Sequence, residues 1–144
     1  MSRIEVTREI RAPVEVVFDT VAYIDNFSKA VPEIVRTEIL SETKSGVGTR
    51  FSETRSMRGR EHTVELEVTE FEKNRMIRIV ADDHGAVWDT VFSVNEVDGV
   101  TTLALVMDAR PHTLLSRLLT PMMKGMIVSA LKKDMDAVKN YCEK

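Results

Sequence analysis

The strand-like segment at residues 48–61 (GTRFSETRSMRGRE) carries the side chains best suited to chemistry in this sequence. Side chains alternate along a strand, so Glu53 and Arg55 share a face with the apolar residues Phe51 and Met57. The opposite face offers only arginine, serine and threonine side chains, and therefore little to bury. Because burying a charge is costly unless it is paired or solvated, we expect the mixed face to meet water or to line a cavity with polar spots.

A tight turn at Arg58-Gly59 brings a third ionisable group to this face. A two-residue hairpin loop there sets His62 opposite Arg55 and Val64 opposite Glu53. Arginine can orient a ligand carbonyl or carboxylate, whereas glutamate or histidine can move a proton if its pKa lies near the working pH. Glu53 and His62 are therefore the candidate catalytic residues. The alternative is a structural ion pair between Glu53 and Arg55, since ion-pair networks of purely structural role also occur.

A second two-residue loop, at Asp98-Gly99, predicts the register of the last hairpin. It sets Phe92 opposite Leu105 and Thr90 opposite Met107, so that both strands present one apolar face. A slip of one residue would turn these apolar side chains outward, so the face is well specified.

A four-residue loop at residues 82–85 is predicted between the two preceding strands, and it sets Ile79 opposite Trp88. Trp88 is the only tryptophan, and in this register it points to the same inner face. It could form the floor of a ligand pocket, or it could pack in the core, as aromatic residues usually do.

A strand and two short helices precede this group of strands, and a long helix follows it. Residues 4–10 alternate as a strand, and two short helices follow, the second ending before Pro32. After Pro111 the apolar residues follow helical spacing to the C-terminus, with Pro121 and Gly125 inside a long helix that is either kinked or split. The order predicts an α+β domain in which a curved antiparallel sheet of about seven strands is covered by the C-terminal helix on its concave face, with a cavity between them.

Composition narrows the class of protein. With 144 residues, 43% of them hydrophobic and 30% charged, residues 1–144 are expected to form one domain. The formal charge of −3 argues against a general nucleic-acid binder. A single cysteine, Cys142, and the lack of a signal-like or membrane-length apolar run favour the cytoplasm. The three histidines fall in no recognised ligand spacing and no glycine-rich phosphate loop occurs, so neither a metal nor a cofactor is expected.

Six segments, in order, resemble the START/Bet v 1-like (SRPBCC) superfamily, in particular its polyketide cyclase/dehydrase and lipid transport branch. They are IEVTREIRAPVEVVFD, FSKAVPEI, GTRFSETRSMRGRE with VTEFEKNR, GAVWDTVFSVNEVDGVTTLAL and LLTPMMKGMIVSALKKDMDAVKNY. The resemblance implies a helix-grip fold over almost the whole chain. It does not imply one function, because members range from lipid and hormone carriers to aromatase/cyclases and co-chaperone modules.

The function predicted first is binding of a small hydrophobic molecule, lipid-like or polyketide-like, as a carrier or sensor. The predicted ligand-binding residues are Phe51, Glu53, Arg55, Met57, His62, Val64, Trp88, Thr90, Phe92, Leu105, Met107, Met122 and Met126. One alternative is a cofactor-free cyclase/dehydratase with Glu53 or His62 as acid or base. Another is a co-chaperone-like protein-binding module, which would have a collapsed cavity and an exposed apolar patch.

The segment LLSRLLTPMMKGM leaves a membrane contact open, because it combines apolar residues with Arg117 and Lys124. The simpler interpretation is that this face packs over the sheet, which needs a cover that only this helix can supply. The oligomeric state is open.

Overall fold

A seven-stranded antiparallel sheet forms the body of the protein in a computed structural model, which describes residues 2–144. The elements in chain order are β1 (Ser2–Ile10), α1 (Val14–Ala22), α2 (Ile24–Ala30), β2 (Ile34–Ile39), β3 (Arg50–Met57), β4 (Arg60–Glu72), β5 (Met76–Asp83), β6 (Ala86–Val97), β7 (Val100–Pro111) and α3 (Leu114–Cys142). The strands lie in the order β1-β7-β6-β5-β4-β3-β2. The predicted sequence of elements and the α+β helix-grip class are confirmed. The side of the sheet that faces α3 is called the inner face below.

Two hairpins have the predicted register. Arg58-Gly59 and Asp98-Gly99 are two-residue loops in which both residues have positive φ, namely 54° and 79° in the first and 52° and 81° in the second. This backbone matches the right-handed twist of the flanking strands. Arg55 consequently lies opposite His62, and Phe92 lies opposite Leu105.

The predicted four-residue loop at residues 82–85 is wrong. β5 continues to Asp83 and β6 begins at Ala86, so the loop is His84-Gly85 and Trp88 lies opposite Ala81, not Ile79. Histidine is among the residues that tolerate a left-handed backbone, and here its φ is 54°. The error shifts the pairing by two residues, and because side chains alternate with a period of two it changes the partners without changing the face.

Helix α3 packs against the sheet with its C-terminal half. Leu131, Met135 and Val138 are buried there, and Ser116 and Thr120 are the buried residues of the first half. These five positions share one face of the helix, since they are spaced by three, four and seven residues or by sums of these. The core contacts of the C-terminal half therefore determine the rotation of the helix, and the leucines and methionines of the first half point outward.

Pro121 lies inside α3 without dividing it, so the sequence alternative of two separate helices is excluded. A proline cannot donate to the carbonyl four residues before it. Residues 121–126 are all exposed, so water can reach the backbone group that loses its partner.

The N-terminus of α3 is attached to the β5–β6 turn. Thr113 caps the helix, since its Oγ1 accepts a hydrogen bond from the Ser116 N–H at 3.1 Å. The N–H groups of His112 and Thr113 donate to the carbonyl oxygen of Gly85 at 2.8 and 3.3 Å. A Cβ atom on Gly85 would overlap the Thr113 side chain and crowd Ser116. Glycine is therefore required here both by its φ of 75° and by the close approach of the helix.

Gly85→Ala is expected to destabilise the protein more than Gly99→Ala. Both glycines have left-handed backbones, which costs an L-residue about 1–2 kcal/mol, but a Cβ on Gly99 would meet open space. Urea unfolding followed by circular dichroism gives the two free energies of unfolding. Equal losses would show that the contact between Gly85 and Thr113 does not constrain the turn.

Candidate functional site

A cavity of about 330 Å³ lies between the inner face of the sheet, the α1–α2 segment and the C-terminal half of α3. The strands supply an apolar wall made of Phe51, Leu66, Val68, Ile79, Phe92 and Leu105. Ile24, Phe27 and Leu131 close the cavity from the helices, and the exposed residues Asp25 and Lys44 mark the side that meets solvent. The volume lies in the range of small-molecule pockets, about 300–1,000 Å³.

Seven of the predicted ligand-binding residues line this cavity. They are Phe51, Glu53, Arg55, Thr90, Phe92, Leu105 and Met107. The other six predicted residues, Met57, His62, Val64, Trp88, Met122 and Met126, are not among the side chains that line it.

The first three lie where the β3–β4 hairpin runs past the cavity. Met57 is 46% exposed next to the turn. His62 does lie opposite Arg55 along the strands, but its Nε2 is 3.0 Å from Asp83 Oδ2 and not in contact with the Arg55 guanidinium. Val64 belongs to the same part of the hairpin, opposite Glu53. The predicted cluster of Glu53, Arg55 and His62 is therefore not formed.

Of the other three, Trp88 lies near the β5–β6 turn, and Met122 and Met126 point outward because of the rotation of α3. The indole N–H of Trp88 donates to the backbone carbonyl of Asp83 at 3.0 Å, which gives the ring a local partner near the β5–β6 turn. Met122 and Met126 are 80% and 63% exposed. The two methionines do not cover the sheet, because the buried face of α3 there belongs to Ser116 and Thr120.

A network of carboxylates around Arg55 forms the polar end of the cavity. Nη1 and Nη2 of Arg55 donate to the two carboxylate oxygens of Asp134, both at 2.9 Å. Its Nε donates to Glu53 Oε2 at 3.3 Å, and Glu33 Oε1 lies 3.7 Å from Nη1. The exposed Lys133 pairs with the other oxygen of Glu33 at 2.7 Å. All three nitrogens of the guanidinium are thus next to protein carboxylates.

Asp134 is the main residue of this network that sequence reasoning missed. Its side chain is 11% exposed, close to the 12% of Glu53, and both line the cavity. A signal was present, since an acidic residue stands among Leu131, Met135 and Val138 on the apolar stripe of α3.

The electrostatics of the network separate the roles of its members. Burial lowers the pKa of Arg55, but the hydrogen bonds and charge of Asp134, and then those of Glu53, outweigh it, so the pKa lies above its ordinary value and the guanidinium stays charged. Burial raises the pKa of Glu53, with Arg55 opposing the shift and Asp134 adding to it. Burial in the cavity thus makes Glu53 hold a proton more readily than an ordinary glutamate.

The sequence family described as polyketide cyclase / dehydrase and lipid transport matches residues 1–143. The chain belongs to this family. No curated protein sequence matches it closely enough to add to that finding.

Solved structures of the same fold come from several functional classes. A START superfamily protein from Mycobacterium smegmatis superimposes with a TM-score of 0.80 at 18% identity, covering 98% of this chain and 97% of that one. The Zhui aromatase/cyclase from a Streptomyces species gives 0.80 at 16% identity, covering 99% and 93%. Norcoclaurine synthase from Thalictrum flavum gives 0.73 at 12% identity, covering 97% and 85%. At such identities the similarity establishes the helix-grip fold of this family member and leaves its ligand to the residues of its own cavity.

Glu53→Gln is expected to change the pH dependence of stability in a defined direction. At pH values above 4.5, the ordinary pKa of a glutamate, the folded protein keeps a proton on Glu53 that the unfolded chain has lost. The stability of the wild type therefore falls as the pH rises through the raised pKa of Glu53. Glutamine removes this loss. The free energy of unfolding of the variant minus that of the wild type should therefore increase with pH from about 4.5 and then level off.

The measurement is a series of urea unfolding curves over this pH range, extended below pH 3.8, the ordinary pKa of an aspartate, for the control. Asp89→Asn provides a control of opposite sign, because hydrogen bonds from Arg78 lower the pKa of Asp89 and its contribution is lost as the pH falls. A difference between Glu53→Gln and the wild type that stays constant with pH would show that burial does not control Glu53.

Proposed function

We propose that the protein binds a small, largely hydrophobic molecule in the cavity and acts as its carrier. The observation that supports this most strongly is an apolar cavity of about 330 Å³ with one polar end. Family membership is consistent with such a ligand. An open cavity also favours a carrier over the co-chaperone-like alternative, for which a collapsed interior is expected.

The polar end favours a neutral ligand over an anionic one. Arg55 cannot offer a free fork to a ligand carboxylate, since Asp134 already holds both of its terminal nitrogens and Glu53 holds Nε. The carboxylates of Asp134, Glu53 and Glu33 surround this single guanidinium. A ligand carboxylate placed here would meet like charges in a poorly solvated site, whereas a hydroxyl can donate to Glu53. The ligand class we propose is therefore a hydrophobic alcohol or a similarly neutral, hydroxylated molecule.

The wild type is expected to bind 1-decanol more tightly than decanoate, by about tenfold or more, which corresponds to about 1.4 kcal/mol. Isothermal titration gives both affinities, and native mass spectrometry of the purified protein shows whether a molecule is already retained. Thr90→Phe, which fills the cavity from β6, should abolish binding. Val91→Phe is the matched control, because the neighbouring residue points to the other face of the same strand.

Decanoate binding as tight as that of decanol would reject the neutral-ligand class while leaving the carrier role in place. Failure of both ligands to bind, with no molecule retained on purification, would reject the carrier role itself.

A second proposal concerns a membrane partner, and the apolar face of α3 favours it. This face is defined by seven exposed large side chains in the first half of the helix, namely Leu114, Leu115, Leu118, Leu119, Met122, Met123 and Met126. Their exposed fractions run from 38% to 80%. An exposed apolar patch of this size typically marks an interaction surface.

The charge pattern of α3 favours an anionic lipid surface as the partner. Residues 114–133 contain Arg117, Lys124, Lys132 and Lys133 and no acidic residue, in a chain whose formal net charge is −3. Each basic residue near an anionic membrane contributes about 1 kcal/mol of attraction. We therefore propose that the carrier exchanges its ligand while docked on such a surface.

The helix is expected to lie on the membrane and not across it. Among the described residues, α3 is the helix whose length and composition could cross a bilayer, and only 17% of its apolar window is buried. However, Leu131, Met135 and Val138 hold its C-terminal half in the core. An interfacial position keeps those contacts and buries the apolar face.

The double variant Leu118→Ser, Met122→Ser is expected to lose binding to vesicles of phosphatidylcholine with phosphatidylglycerol, by about tenfold or more. Vesicle co-sedimentation measures the bound fraction, and binding should weaken at high salt or without phosphatidylglycerol. Val97→Ser is the control, since Val97 is also exposed, at 63%, but lies at a hairpin turn away from α3. A wild type that ignores vesicles, or that buries this face in a dimer seen by size-exclusion chromatography, would reject the membrane as partner.

A further inference from the structure

Two histidines that are far apart in the sequence meet at one carboxylate oxygen. His62 Nε2 and His84 Nδ1 each lie 3.0 Å from Oδ2 of Asp83. The two imidazole rings have centroids 4.7 Å apart and are nearly perpendicular, at 89°. One potential ligand atom from each of the three residues lies within 4.8 Å of the others. The fold therefore brings together two histidines that follow no ligand spacing in the sequence.

The fold assembles this group from two strands that are not paired at this level. Backbone pairing between β4 and β5 runs from Glu72 and Met76 to Glu67 and Val80, and both His62 and Asp83 lie beyond that end. The tight turn after β5 then places His84 beside Asp83, in a left-handed conformation that histidine tolerates. The spacing of His62 and Asp83 follows no sequence pattern because the two residues lie on different strands and not in one helix or loop.

We propose that His62, Asp83 and His84 form a binding site for a divalent first-row transition ion of the Zn²⁺ type. Two imidazole nitrogens and a carboxylate oxygen are the donors that such ions prefer, and three protein ligands leave further positions for water. The site is accessible, since the side chains of His62 and His84 are 48% and 67% exposed. It is separate from the ligand cavity, which none of the three residues lines.

The ion would connect β4 to the β5–β6 turn where backbone hydrogen bonds do not. Because an ion that binds the folded chain shifts the folding equilibrium toward it, Zn²⁺ should raise the midpoint of thermal unfolding. The same turn carries Gly85, on which the N-terminus of α3 rests, so the site lies next to the attachment point of that helix.

The third histidine provides an internal control. His112 Nε2 lies 2.8 Å from Asp82 Oδ1, a pair made of one imidazole and one carboxylate. The side chain of His112 is 50% exposed, close to the 48% of His62, whereas Asp82 is more exposed than Asp83, at 64% against 26%. If exposed histidine–aspartate pairs alone were sufficient for binding, His112 would contribute as much as His62.

Trp88 provides an optical readout. It is the only tryptophan, and its indole N–H donates to the backbone carbonyl of Asp83 at 3.0 Å. A paramagnetic ion at the Asp83 carboxylate would lie close enough to quench its fluorescence. Quenching by Ni²⁺ therefore reports an ion near the β5–β6 turn, and the His62 and His112 variants show which histidine holds it.

The experiment titrates the untagged protein with Zn²⁺ by calorimetry and with Ni²⁺ by Trp88 fluorescence. We expect one ion per chain, with affinity reduced by about tenfold or more in His62→Ala and in His84→Asn, as loss of a direct ligand should cost at least as much as loss of its supporting contacts. Asparagine keeps a residue that tolerates the left-handed turn, so a folding defect is avoided. His112→Ala should bind as the wild type does.

Absence of Zn²⁺ binding to the wild type would overturn the proposal, as would an equal loss in His112→Ala and His62→Ala. Circular dichroism of each variant shows that it is folded, and ligand binding in the cavity should not depend on the ion.

Discussion

The bidentate ion pair between Arg55 and Asp134 is the interaction on which the relation between sheet, helix and cavity depends. It joins side chains 79 positions apart, one on β3 and one on α3, and both are largely withdrawn from water. A buried pair of this kind is tolerated only where its geometry is good and the remaining donors are satisfied. Glu53 and Glu33 satisfy the rest of the guanidinium. Since removing Arg55 would leave buried carboxylates without their cation, this end of the cavity is held both polar and rich in acceptors.

The same network restricts the chemistry available to the cavity. Of the two candidate acid–base residues, Glu53 lines the cavity, whereas His62 contacts Asp83 outside it. Burial raises the pKa of Glu53, so this carboxylate takes up a proton more readily than an ordinary glutamate does. A cyclase or dehydratase would have to use this one group both to remove and to return a proton. A carrier needs only the hydrogen-bonding capacity of Glu53, so the cavity meets the requirements of a carrier more easily than those of an enzyme.

The faces of the strands could be predicted from the sequence, whereas part of the pairing could not. Alternation along β3 places Glu53 with Phe51 whatever the partner strand, because the period of a strand is two. The β5–β6 turn was misplaced because residues 82–85 permit either loop length, and both lengths keep the same face inward. In α3, the large apolar residues between Leu114 and Met126 lie on one side of the helix, and this is not the side that packs on the sheet, so periodicity there predicts the wrong rotation. The packing of the C-terminal half decides it.

Contacts between distant side chains carry a sequence signal only when each partner is anomalous in its own element. His62 and Asp83 are unremarkable residues near strand ends, and nothing local predicts that they meet. Arg55 and Asp134 are different. Arg55 is a cation on the apolar face of a strand, and Asp134 is an anion on the apolar stripe of a helix. Each would be costly to bury alone, and each removes the cost of the other. Two such residues, matched by charge, are enough to predict where α3 crosses β3 and which residue completes the polar end of the cavity.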